Sequence, residues 1–155
     1  MNWDAIGAVG EILGAIGVII TLAYLASQIR QNTRASKSAA LHSLSEAGAV
    51  MNGMIVQDEE VARIFRAGLS DDYEQLTPVE RTRFTVLIAQ WCLAYETVYL
   101  QHGLGTVTDE LFNSRMQNLR MWLNTTGGRR AWKTSKGTFS KSYVAYVDAH
   151  VITKP

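Results

Sequence analysis

The sequence holds a single cysteine, Cys92, so the chain can close no internal disulfide and cannot build a cysteine-based zinc site. It holds two prolines, Pro78 and Pro155, which leaves long helices uninterrupted. Charge is sparse: 19% of residues are charged, below the roughly 25% of an average globular chain. The formal net charge of +1 provides no global field for nucleic acid, and none is expected as a partner. Basic residues are missing altogether before Arg30, where Asp4 and Glu11 are the only charges. That absence, with the length of the apolar run, argues against a cleaved signal peptide. No P-loop, GxGxxG, HExxH or GxSxG motif occurs. His42, His102 and His150 are far apart in sequence. A non-enzymatic protein with no cofactor and no metal is therefore expected.

What the chain does have is apolar length. Ala5 to Ala26 makes about 22 residues, or roughly 33 Å of helix at 1.5 Å per residue, against a hydrocarbon core of ~30 Å. Glu11 is its only charge. At 100° per residue, Ile6, Val9, Ile12, Leu13, Ile16, Ile19 and Ile20 gather on one face. Gly7, Gly10, Gly14, Gly17 and Thr21 gather on another, stepping by three and four, with Gly10 and Gly14 as a GxxxG pair. Interior glycine costs a helix in water roughly 0.5–1 kcal/mol relative to alanine. In lipid, the same small seam lets a second backbone approach closely. The seam predicts self-association, or entry into a larger membrane complex. Glu11 borders the seam, and a carboxylate facing lipid costs a few kcal/mol, so a partner contact, a snorkelling position or a protonated state is expected there. A homo-oligomeric ion-conducting pore with Glu11 facing its lumen is the alternative; Val18, Leu22 and Leu25 on the same line argue against an open wet path. A competing reading keeps the helix buried inside a soluble bundle.

Arg30, Arg34 and Lys37 follow the apolar run and nothing basic precedes it, so the positive-inside rule places residues 30–155 in the cytoplasm and the N-terminus outside. The expected setting is the bacterial inner membrane, crossed once by residues 1–29. Trp3 and Tyr24 sit where interfacial aromatics occur. Gln28, Arg30, Asn32, Arg34 and Lys37 are candidates for contact with lipid headgroups or a partner.

The segment YLASQIRQNTRAS, Tyr24 to Ser36, resembles the signature of an uncharacterised family of small bacterial proteins that pair an N-terminal hydrophobic helix with YLA-x-QIR-x-NT. Tyr24, Leu25, Ala26, Gln28, Ile29, Arg30, Asn32 and Thr33 carry the match; ERTRF at 80–84 and GGRRAW at 127–132 also resemble it, with Lys133 where the pattern has a second Trp. The resemblance implies a bacterial, membrane-anchored helical protein and no particular activity.

Beyond Ser36 the pattern stays helical. Leu41, Leu44, Gly48, Met51 and Ile55 form one apolar stripe. DEEVARIFRAGL predicts a short helix stopped by Gly68. TPVE at 77–80 predicts a capping box with Pro at the first helical position, opening a helix to about Gln101. Its buried face runs through Phe84, Leu87, Ile88, Trp91, Tyr95, Val98 and Tyr99. A helix from Thr108 is expected to break at Gly127-Gly128, and a last one to start at Ser140. Arg129, Arg130, Trp132, Lys133, Lys136 and Lys141 suggest a basic, solvated loop, with contact to anionic lipid or an acidic partner surface as the alternative, and Glu96 a buried carboxylate paired with Arg115, Arg120 or Arg129. The predicted fold is all-α: one N-terminal transmembrane-type helix continuing into a cytoplasmic bundle of four or five helices.

Overall fold

Short polar side chains start the helices. In the computed structural model, the Asp58 carboxylate accepts from the Val61 amide (3.1 Å) at the start of α2, Glu59–Leu69. Thr77 and Glu80 close the expected capping box on α3, Pro78–Gly103: the Glu80 amide donates to Thr77 Oγ1 (3.3 Å) and the Thr77 amide to Glu80 Oε2 (2.7 Å). Each contact satisfies a backbone donor that a helix start would otherwise leave without a partner. Thr108 caps α4, Asp109–Leu123, and Thr125 caps α5, Thr126–Ser135. Gly105, at φ +71°, makes the turn between α3 and α4.

These elements follow α1, Trp3–Gln57, and precede α6, Lys141–Tyr146, which runs into a π-helical turn, Val147–Val151. Two 3-10 turns, Asp71–Gln75 and Lys136–Thr138, complete the order. The structure describes the backbone of residues 3–153 and the side chains of 10–153 except Ile12, Ser43 and Ala47. Among the described residues there is no strand, so the fold is all-α. The chain divides into two compact units, Met1–Ala39 and Ala40–Pro155.

In the second unit α3 is the central element. Phe84, Ile88, Trp91, Cys92, Tyr95 and Val98 are buried along it. Ile64 of α2, Leu119 and Leu123 of α4, Trp132 of α5 and Tyr143 of α6 close around them. Leu44, Met51 and Ile55 of α1 pack on this core, as their stripe predicted, while Leu41 is exposed.

Two expectations about glycine are corrected. Gly68 does not stop α2; it is buried within the helix under Phe84, and Ser70 is the C-cap. Gly127 and Gly128 do not break a helix; they lie in the first turn of α5, and the chain turns at Asn124 and Thr125 instead. A Cβ on Gly127 would stand 2.1 Å from the Gly68 carbonyl oxygen. These glycines let α2 and α5 approach backbone to backbone, a tertiary requirement that overrides their poor helix propensity.

Candidate functional site

The first unit carries the candidate association helix. From Leu13 to Ile29 its large apolar side chains are 47–66% exposed, on all sides of the helix. This helix is long and apolar enough to cross a membrane. A Cβ at Gly10, Gly14 or Gly17 would meet nothing within 4 Å, so the described part of the seam is an open groove along the helix. Gly7 and Trp3 lie outside the residues whose surroundings are described. Glu11 is exposed beside the seam.

Local hydrogen bonds settle several polar groups at the far end of this stretch. Thr21 Oγ1 donates to the Gly17 carbonyl (2.8 Å) and Thr33 Oγ1 to the Ile29 carbonyl (2.9 Å). Such back-bonding satisfies a hydroxyl inside an apolar medium without a second chain. Gln28 Nε2 donates to the Tyr24 hydroxyl (2.7 Å), one turn away. Arg30, Asn32, Arg34 and Lys37 are exposed, and no side-chain bond ties them to another described residue. Their donors are available to an external acceptor.

In the second unit the chemistry-bearing side chains are held in structural contacts. Glu96 is buried, and its partner is not an arginine: Oε1 accepts from the Ser140 backbone amide at 2.7 Å. It therefore caps the entry to α6 from across the core. The expected pairing fails because all three arginines are engaged or placed elsewhere. Arg120 bonds the His150 carbonyl, Arg129 binds Asn124 Oδ1 (3.0 Å) and the Thr153 carbonyl (2.9 Å), and Arg115 is exposed. Beside Glu96, burial pushes the Cys92 thiol up to about 12 and the Tyr143 hydroxyl far above its ordinary range. A thiol held protonated is a core residue, not an activated nucleophile.

The basic segment from Arg129 is also corrected. Residues 129–135 belong to the helix α5 and 136–138 to a 3-10 turn, and Gly128, Ala131, Trp132 and Ser135 turn the small and apolar face of α5 into the core. Trp132 Nε1 and Lys136 Nζ both donate to Asp148, at 2.7 and 2.8 Å. Burial of Asp148 opposes its ionisation, but these two donors outweigh it and hold the carboxyl below its usual value. Arg130 pairs with Glu74 (2.6 Å) and, with Arg81, flanks the Tyr73 ring. His42 pairs with Glu46, and His102 stacks on Phe112 while bonding Asp109 at 2.7 Å. Among the described residues no group of three or more His, Cys, Asp or Glu could hold a metal ion.

No protein-family model matches the chain, and neither a curated protein nor a solved structure does.

Proposed function

We propose that the chain is a non-enzymatic, single-pass membrane protein. It self-associates, or joins a larger membrane complex, through the seam of Gly7, Gly10, Gly14, Gly17 and Thr21, and the helical domain serves as scaffold or partner surface. The observation that carries this reading is the exposure of aliphatic side chains on every side of α1 from Leu13 to Ile29. A helix apolar all round is buried either in a core or in a bilayer, and no described residue covers this stretch. The resemblance of Tyr24 to Ser36 to a bacterial signature supports the bacterial inner membrane as the setting. The run Arg30, Arg34 and Lys37 supports a cytoplasmic domain after the helix. Gln28, Arg30, Asn32, Arg34 and Lys37 then meet lipid phosphates or a neighbouring subunit. The open seam next to Glu11 gives that carboxylate a route to a partner helix rather than to acyl chains.

Light scattering on the detergent-extracted chain tests this. An oligomer that dissociates when Gly10→Leu and Gly14→Leu fill the seam is expected. A strict monomer, unchanged by those substitutions, would sink the seam.

A further inference from the structure

The C-terminal part of α1 packs on α3 around Trp91 and leaves two adjoining spaces. The larger is an apolar groove of about 400 Å³, within the roughly 300–1,000 Å³ of small-molecule sites. Val50 and Met54 of α1 line it together with Leu87, Trp91, Leu93 and Ala94 of α3. The smaller is a cleft of about 30 Å³, the share of a single water molecule in the liquid. Leu44 and Gly48 of α1, Tyr95 and Val98 of α3, and Arg115 of α4 surround it. Trp91 and Ala94 line both spaces. A Cβ on Gly48 would meet nothing within 4 Å, so α1 puts no side chain into the junction there. The spaces follow one another along both helices: α1 passes them from Leu44 to Met54, and α3 from Val98 back to Leu87. Either stretch is about 15 Å of helix at 1.5 Å per residue.

We propose that the two spaces hold one fatty acid, with its tail in the groove and its carboxylate at Arg115. Length supports a single acyl chain. A hydrocarbon core of ~30 Å is two such chains end to end, so one spans about 15 Å, the run from the Arg115 end to Met54. The lining supports hydrocarbon: only Gln90 and Thr97 interrupt an apolar groove wall, so burying a tail there removes apolar surface from water on both sides. Charge supports an acid at one end only. Arg115 is the one charged residue that lines either space, it is exposed, and no side-chain hydrogen bond or ion pair ties it to another described residue. A guanidinium fork takes a carboxylate through two parallel N–H···O bonds. The cleft before it has room for a group of carboxylate size and not for the phosphodiester head of a two-chain lipid. A two-chain lipid would also leave its second tail without a groove.

All of these residues belong to the second unit, so the site does not rest on the membrane reading. The test is photolabelling of the full-length chain in phosphatidylcholine nanodiscs by palmitate carrying a diazirine, with the labelled residues mapped by mass spectrometry. A diazirine at the tail tip is expected to label Met54 or Leu87, and one beside the carboxylate Leu44 or Val98. Excess unlabelled palmitate should suppress this labelling, and hexadecanol, which lacks the acid, should not. Arg115→Gln should weaken it about fivefold, the upper range for an exposed ion pair. Ala94→Phe, which fills the junction, should abolish it, with helicity checked by circular dichroism. Labelling within residues 13–29 reports contact with the bilayer separately, and both variants should leave it unchanged. Groove labelling no stronger than that of the exposed Met121 would overturn the proposal. So would suppression by hexadecanol equal to that by palmitate, labelling unaffected by Arg115→Gln, or suppression by a single-chain lysophosphatidate but not by palmitate.

Discussion

Gly127→Ala tests the packing that holds the helical domain together. A Cβ placed on Gly127 stands 2.1 Å from the Gly68 carbonyl oxygen, 2.5 Å from a ring carbon of Tyr73 and 3.0 Å from one of Phe84. A carbon and a carbonyl oxygen approach no closer than about 3.3 Å without strain, so the contact must open by about 1.2 Å. The nearest obstacle is backbone, and Phe84 is fully buried, so no flexible side-chain end can swing aside. Overpacking of this kind costs ~1–3 kcal/mol, and a rigid backbone partner puts Gly127→Ala at the upper end. Alanine returns roughly 0.5–1 kcal/mol as a better helix former. The net expectation is a loss of about 2 kcal/mol, or on the order of 10 °C in Tm for a domain of this size. The control is Gly48→Ala, where a Cβ meets nothing within 4 Å; it should gain about 0.5–1 kcal/mol. Urea unfolding of the detergent-solubilised chain, followed through the buried Trp91 and Trp132, reads both changes. Equal midpoints for Gly127→Ala and the parent chain would refute the backbone-to-backbone contact of α2 with α5.

Glu96→Leu leaves the Ser140 amide without its acceptor and should cost about 1–3 kcal/mol, whereas Glu96→Gln keeps an acceptor oxygen and should cost less; equal losses in urea unfolding would argue against the cap. Thr77→Ala removes one half of the capping box and should lower stability by about 1 kcal/mol on the same assay. The Arg63 guanidinium, then the Thr77 amide and hydroxyl, hold Glu80 at about 2 against an ordinary 4.5. The stability from this pairing is present above pH 4.5 and is lost as pH falls toward 2, so Glu80→Gln should flatten the acid limb of a pH–stability curve. Cys92, buried and held protonated to about 12, should resist a thiol reagent at pH 8 in the native chain and react on unfolding; rapid native labelling would contradict its place in the core.

Features carried by local chemistry were readable from the residues alone. Thr77, Pro78 and Glu80 announce a helix start because the capping contacts span only three residues. The stripe of Leu44, Met51 and Ile55 announces a packed face because helical periodicity is itself local. What escaped was tertiary. Gly68 and Gly127 read as helix breakers by propensity, and only the meeting of α2 with α5 explains why nothing larger fits. α5 read as a basic loop because Arg129, Arg130 and Lys133 mask the small residues that face the core. The Glu96 partner could not be foreseen, because a backbone amide leaves no mark in the sequence. In the candidate membrane helix the spacing of the glycines was legible throughout, and the structure adds the exposure of the aliphatic face and the local bonds of Thr21, Gln28 and Thr33.

The central claim is that residues 10–29 lie in a bilayer with the glycine seam against another helix. Spin labels placed one at a time along this stretch, with the full chain in liposomes, test it most directly. The account predicts strong relaxation by oxygen and weak relaxation by a water-soluble nickel chelate on the aliphatic face, with oxygen contact falling at Gly10, Gly14 and Gly17. Chelate access at every position, or protection from both reagents on all sides, would contradict it.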